Sequence, residues 1–273
     1  MRLLFLPILV GAAASSLPAA EVPHIRVLTF NIRYANKGDG PDQWEARRDT
    51  VAALINREAD LVATQEALPV QVADLTERLK DFSVVSRTRE VSDKEGEACA
   101  VFYRKDRFEV VTSGTFWLSD TPETPGSKSW GNKLPRICTW VVLKEKAGGR
   151  QLRVFATHLD HQSEEAKKKG AALVAERAAA GQGPTIVLGD FNAQWGDPAT
   201  TAFAESAGWK EAWHTVGKGE GGTFNGWRDQ GPFIHIDYIF LREGKILASR
   251  ILREKTPAGR QASDHFPLWM EME

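Results

Sequence analysis

Two short polar motifs stand at the ends of apolar runs. Gly189-Asp190-Phe191-Asn192 closes Thr185-Ile186-Val187-Leu188, and Ser263-Asp264-His265 leads into Phe266-Pro267-Leu268-Trp269. Carboxylates, an amide and an imidazole at strand ends match the needs of metal-assisted phosphoester hydrolysis: a cation on the phosphate oxygens, an activated water, and help for the leaving group. Mg²⁺ prefers hard oxygen ligands, usually one or two carboxylates with waters completing the octahedron. Glu66, after the run 61–65, and Asp264 fit that role. Asn31, ending the run 25–30, can add an amide oxygen or simply be a turn residue.

Asp190 and Asn192 are two residues apart, so an extended backbone aims both to one side. The carboxylate can then orient and deprotonate water while the amide holds a phosphate oxygen; an Asx-turn closing the strand is the plain alternative. His158 repeats the arrangement in Thr157-His158-Leu159-Asp160, with His161 as a competing imidazole. His265, as a phosphate-binding imidazolium or general acid, needs an orienting acid. Asp237, inside Ile236-Asp237-Tyr238-Ile239-Phe240, is a carboxylate in an apolar run. If buried it demands a partner; outward-facing alternation is the other reading. His235 has the same ambiguity and a weaker case.

The elements that must hold these groups alternate from residue 24 onward without a long linker. Residues 25–30 and 61–65 read as strands, and 43–58 as an amphipathic helix with apolar positions 44, 51, 54 and 55. Pro69 opens a second helix with Val72, Leu75 and Leu79 on one face. The runs 98–103, 108–117, 137–143 and 152–157 are β-branched and aromatic, which predicts an antiparallel meander. The Pro/Gly/Ser-rich segment 119–135 interrupts it, and a loop of that length is usually functional. Residues 163–180 read as a helix, 185–188 as a strand, and Asp197-Pro198 starts a helix ending near Gly208. Strands at 234–241, 246–252 and 266–270 complete the pattern. Two such halves predict two mixed sheets packed face to face with helices outside.

The chain has 273 residues, enough for one large α/β domain. Its 35 Lys and Arg against 36 Asp and Glu give a net charge of −1, so no general basic surface attracts nucleic acid. Arg2, the apolar run 3–14 and the small residues 12–20 read as a signal peptide over 1–20, with the domain spanning 21–273. That run is too short for a stable membrane anchor. The mature protein is expected to be periplasmic or secreted, and monomeric. Cys99 and Cys138 lie in strand-like runs and read as buried core residues, although export would permit a bridge.

Taken in order, Leu28-Thr29-Phe30-Asn31, Gln65-Glu66, Thr157-His158-Leu159-Asp160, Gly189-Asp190-Phe191-Asn192, Ile236-Asp237-Tyr238 and Ser263-Asp264-His265 resemble the endonuclease/exonuclease/phosphatase family, the DNase I-like superfamily. The resemblance runs from about residue 24 to 271. It implies a four-layer α/β/β/α sandwich and Mg²⁺- or Mn²⁺-dependent phosphoester hydrolysis. Carried over residue by residue, it implies Asn31, Glu66 and Asp264 as metal ligands, Asp190 activating water, and Asn192 positioning water and phosphate. It further implies His265, oriented by Asp237, on the scissile phosphate, and His158 assisting at the phosphate or leaving group. Arg136, in Leu134-Pro135-Arg136-Ile137, is a phosphate clamp or a surface arginine before a strand. Residues 96–105 with 116–119 look like a bacterial exported subgroup. Family members cleave DNA, RNA, inositol phosphates, sphingomyelin and other phosphoesters. The charge balance favours a small or medium phosphorylated molecule, with an extracellular nuclease as the alternative and a non-catalytic binding protein third. Trp117, Trp130, Trp195, Trp213 and Trp227 fall near loops that could ring the site, or pack beneath them.

Overall fold

A computed structural model describes residues 24–219 and 221–273; the signal peptide expected over 1–20 lies outside the described residues. The chain runs β1 (Ile25–Asn31), a 3₁₀ turn (Lys37–Asp42), α1 (Trp44–Glu58), β2 (Leu61–Ala67), α2 (Pro69–Arg78), β3 (Phe82–Val85), β4 (Ala98–Arg104), β5 (Phe108–Trp117) and β6 (Ile137–Glu145). It continues through β7 (Gln151–His158), α3 (Glu164–Ala179), β8 (Thr185–Asp190), α4 (Pro198–Ala204), β9 (Trp209–Glu211), α5 (Ala212–Val216), β10 (Asp237–Arg242), β11 (Ile246–Ile251) and β12 (Leu268–Met272).

Twelve strands form two six-stranded mixed sheets, ordered β11-β12-β1-β2-β4-β3 and β5-β6-β7-β8-β10-β9. Each contains one parallel pair, β1 with β2 and β7 with β8, joined through α1 and α3 respectively. Strand alternation explains the layering. Val27, Leu61 and Ala63 meet Val141, Val154, Ile186 and Ile239 between the sheets, while Leu28, Phe30 and Val62 face α1 and α2. On the far side Phe155, Val187 and Phe240 face α3 and α4, whose Val174 and Phe203 are buried. Three apolar layers separate four structural ones, the α/β/β/α sandwich.

The amphipathic reading of α1 holds: Trp44, Val51, Leu54 and Ile55 are all buried, each contributing roughly 1.5–3 kcal/mol through burial. The predicted four-strand meander is corrected. β4 pairs with β2 and β3 in the first sheet, and only β5, β6 and β7 form the meander. A run of apolar strands carries no mark of where the chain crosses between sheets. β10 begins at Asp237, so residues 234–236 precede the strand, and β12 is shifted to Leu268–Met272. The short elements β3, β9 and α5 have too few residues for a periodic signal. Cys99 lies between the sheets and Cys138 on the helix side of the second sheet; both thiols are free and buried. Burial pushes the Cys99 thiol up to about 12, so neither is set up for reactivity.

Candidate active site

The registers of both sheets deliver the polar groups to one end of the sandwich. In the second sheet Asp237 lies opposite Asp190 on β8, and Asp190 lies opposite His158 on β7, a row across three strands. Gly189 makes that row possible: a β-carbon there would sit 1.9 Å from the Thr157 carbonyl oxygen, so only glycine lets β7 and β8 approach. Phe191, wholly buried against Phe203, Tyr238 and Phe240, anchors the turn between Asp190 and Asn192. In the first sheet Asn31 pairs with Gln65. The ladder between β2 and β4 is irregular between Thr64 and Ala67. Glu66 adopts a left-handed backbone there, φ 60°. This bulge turns Glu66 out of the regular alternation and toward the other sheet.

Asn31 bridges the sheets, its Nδ2 donating to Glu66 Oε1 and to Asp190 Oδ2, each at 3.0 Å. Its oxygen accepts from the Arg33 amide at 3.0 Å and keeps a second lone pair. The Tyr34 amide donates to Glu66 Oε2 at 3.0 Å. Asp190 is the hub: its Oδ1 accepts from the Asn192 amide at 2.8 Å, and its Oδ2 lies 3.5 Å from His158 Nε2 and 3.8 Å from His265 Nε2. His265 Nδ1 meets Asp237 Oδ2 at 2.9 Å. Asn192 Nδ2 donates to the Leu159 carbonyl at 3.1 Å and lies 3.0 Å from His158 Nε2, an arrangement that suits a neutral ring accepting at Nε2. Asp264 is buried and approaches Arg33 Nε at 3.9 Å.

The charges follow from these contacts. Burial alone would strip the proton from His265, but the Asp237 charge and hydrogen bond, with Asp190 and Asp264 behind, hold the imidazole up to about 10. Burial, reinforced by the Asp237 charge, pushes Asp190 up to about 7. Asp264 is raised by burial and by Glu66, against the pull of His265 and Arg33. His158 is held well below 6.5 by burial and by Arg136 and Arg89. Among the described residues, Asp190, Asp237 and His265 offer potential metal-ligand atoms within 4.8 Å of one another. That trio is a poor cage, because Asp237 and His265 are bonded to each other and a protonated imidazole has no lone pair to give. Glu66 and Asp264 are hard carboxylate donors whose mutual repulsion a divalent cation would relieve, and with the neutral Asn31 oxygen they make a donor set that suits Mg²⁺ or Mn²⁺.

The structure thus brings all eight polar residues, Asn31, Glu66, His158, Asp190, Asn192, Asp237, Asp264 and His265, to one site, and Arg136 lines the same cleft of about 700 Å³. Hollows of about 780 and 870 Å³ elsewhere on the surface lack such a convergence of titratable groups. None of the five candidate tryptophans lines the cleft; Trp117 is buried and donates to the Arg89 carbonyl, and Trp195 stacks on His214 with centroids 3.8 Å apart.

Three supporting residues escape sequence reasoning. Arg47 on α1 is wholly buried and donates to the carbonyls of Asp42 at 2.6 Å, Ile32 at 2.9 Å, Ala262 at 2.8 Å and Arg33 at 3.3 Å. It ties the loop after Asn31 to the loop before Asp264. Asn225 Nδ2 donates to the Ser263 carbonyl at 3.0 Å, and its backbone amide donates to the Asp264 carbonyl at 2.8 Å. Arg89 pairs with Glu97 at 2.7 Å at the cleft wall. Their only local signals are an Arg three residues after Trp44 and an Asn-Gly turn, Asn225-Gly226.

Two packed six-stranded sheets flanked by helices, with this cleft at their shared end, define a DNase I-like α/β sandwich. Residues 28–265 match the model of the Endonuclease/Exonuclease/phosphatase family, and the chain belongs to that family, whose members are phosphoester hydrolases. It is similar to the endonuclease/exonuclease/phosphatase of Bacteroides vulgatus, at 32% identity over 92% of this chain and 99% of that one, TM-score 0.87. It is also similar to the mannosyl-6-phosphatase of Bacteroides thetaiotaomicron, at 31% identity over 91% and 99%, TM-score 0.85. The human Nocturnin catalytic domain shares the fold at 21% identity over 92% and 94%, TM-score 0.72. A curated relative from Acanthamoeba polyphaga mimivirus is 30% identical over 119 residues, so the match spans 37% of this chain and only 17% of that protein. Among the described residues no helix is long and apolar enough to cross a membrane.

Proposed function

We propose that this protein is an exported, monomeric, Mg²⁺- or Mn²⁺-dependent phosphoester hydrolase acting on a small or medium phosphorylated molecule. The observation that carries the reading is the oriented His265–Asp237 pair facing Asp190 across 3.8 Å, beside a cluster of hard oxygen donors. Glu66, Asp264 and the Asn31 oxygen would hold the cation. Bound there, it supplies Lewis-acid polarisation of a phosphoryl oxygen.

The remaining chemistry belongs to the chain. Asp190, raised toward neutrality, accepts a proton from water at Oδ2, while the Asn192 amide fixes its Oδ1. Asn192 is itself held by His158 and the Leu159 carbonyl, leaving its side-chain oxygen to orient water. His265, kept protonated by Asp237, presents its Nε2–H to a phosphate oxygen and stabilises the charge that develops there. Leu134 and Ile234, both exposed at the cleft, supply apolar contacts for the part of the substrate beyond the phosphate. The similarity to a mannosyl-6-phosphatase supports a small substrate over a polymer, as does the net charge of −1. The leading residues 2–20 support export.

The test is hydrolysis of p-nitrophenyl phosphate and bis-p-nitrophenyl phosphate with Mg²⁺ or Mn²⁺. Turnover should vanish with EDTA and in Asp190→Ala. Activity that survives either treatment sinks the assignment, and no turnover across metals and pH leaves only a binding protein. Plasmid nicking at rates matching the small esters would move the reading to a nuclease.

A further inference from the structure

We propose that Arg136 makes this cleft a site for phosphomonoesters, its unbonded N–H groups receiving the extra oxygen and charge that a terminal phosphate carries and a diester lacks. The inference rests on the hydrolase reading of the same cleft and assigns its substrate class.

Arg136 ends the long loop before β6 and is only 4% exposed, yet it lines the cleft. One of its nitrogens donates to His161 Nδ1 at 2.7 Å. Its Nε and Nη1 have no hydrogen-bond partner. Asp160 Oδ2 stands 3.6 Å from Nε, too far for a hydrogen bond, and the other Asp160 oxygen is committed to the amides of Gln162 at 2.9 Å and Ser163 at 2.7 Å. Asp160 balances the charge of this buried guanidinium but leaves two of its N–H groups without a hydrogen bond, a cost that an oxygen of an arriving phosphate would relieve. Arg89 has less to offer, because Glu97 holds its Nη1 at 2.7 Å and only its Nε is without a hydrogen bond. His158 is no better placed, since its Nε2 accepts from Asn192.

The oxygen inventory decides between ester classes. A diester offers two non-bridging oxygens and one negative charge, whereas a monoester offers three and carries close to two charges at neutral pH. The hard-donor side of the cleft and His265 account for two oxygens. Arg136, with its planar fork, is the open donor for the third. Behind it the wall is shut: the void between Arg136, Arg89, Glu97 and Cys99 is about 10 Å³, room for at most one water, so no second ester substituent fits there. In the reaction the water oxygen bonds to phosphorus and the bond from phosphorus to the alcohol oxygen breaks, with its electron pair leaving on that oxygen. One water proton ends on the alcohol and the other stays on inorganic phosphate.

The experiment compares kcat/KM for p-nitrophenyl phosphate and bis-p-nitrophenyl phosphate in the wild type, Arg136→Gln and Arg136→Lys with Mg²⁺. Arg136→Gln should lose about 10²-fold on the monoester and lower the monoester-to-diester ratio at least tenfold, with Arg136→Lys between. Because p-nitrophenyl phosphate has no second anion, this loss assigns Arg136 to the reacting phosphate and not to a charge on the leaving group. Inorganic phosphate should raise the Tm of the wild type and not of Arg136→Gln. Equal losses on both esters, or equal protection of the variant by phosphate, overturn the proposal. Failure of the hydrolase reading itself looks different, since then neither ester turns over.

Discussion

Replacing Arg47 should loosen the site from behind. Its guanidinium, at 0% exposure, meets four main-chain carbonyls drawn from three loop segments. Hydrogen bonds from a charged donor contribute about 1.5–3 kcal/mol each, so four would nominally give roughly 6–12 kcal/mol. Burying the guanidinium offsets much of this, as its acidity shows: burial outweighs the nearby Asp264, Asp39 and Asp42 charges and draws the group down to about 10. Removing the donor leaves the carbonyls of Ile32 and Ala262 unpaired in the core. A net loss of about 3–5 kcal/mol is expected for Arg47→Met, a fall in Tm of roughly 6–20 °C for a domain this size. Arg47→Lys keeps the charge but not the fork, and should lose about half as much. The two loops freed by the change carry Asn31 and Asp264, so the proposed cation should bind about 10- to 100-fold more weakly in Arg47→Lys. Thermal melts followed by circular dichroism, repeated across an Mg²⁺ titration, read both effects without depending on turnover. A Met variant melting within about 2 °C of wild type would refute the network energetics. A destabilised Lys variant with unchanged Mg²⁺ affinity would show that Arg47 supports the core alone.

Gly189→Ala should lower stability by about 3 kcal/mol or more, because the new methyl meets a backbone carbonyl that cannot move without opening the β7–β8 ladder; urea unfolding with an unchanged midpoint would contradict this. His265→Ala should cut turnover by about 10³-fold with the fold intact, and Asp237→Asn by about 10- to 100-fold. Retention of most activity in His265→Ala would remove its assigned role. His158 is kept neutral in the folded state, well below its ordinary 6.5. The unfolded chain therefore binds the extra proton first, and this contribution is present above pH 6.5 and lost as pH falls below it. Relative to His158→Gln, the wild type should lose up to about 1.4 kcal/mol per pH unit between roughly pH 6 and 5. Parallel stability curves for the two proteins would show that His158 titrates freely.

Much of the fold was legible because most elements have a period. The spacing of Trp44, Val51, Leu54 and Ile55 describes a helix wherever it is placed, and the β-branched runs describe strands. What periodicity lacks is partner identity. Nothing in residues 98–117 indicates that β4 joins one sheet and β5 the other. The candidate tryptophan rim failed for a similar reason. Whether an indole faces a cleft or a core depends on which loop lies above it, and none of the five faces the cleft.

The residue types of the site were readable from the chain alone, since a carboxylate or imidazole next to an apolar run is chemically conspicuous at any level of structure. The sequence by itself determined which groups were available, Asn31, Glu66, Asp190, Asn192, Asp237, Asp264 and His265 among them, and that they sit at strand ends. Only the tertiary structure decided their states. The 2.9 Å contact between Asp237 and His265 keeps one histidine charged. Burial beside Arg136 and Arg89 keeps His158 neutral, and the bulge in β2 aims Glu66. The physical reason is distance: charge interactions and desolvation depend on through-space neighbours tens or hundreds of residues apart in the chain. Asn31 reaching Asp190 across 159 positions is one such neighbour.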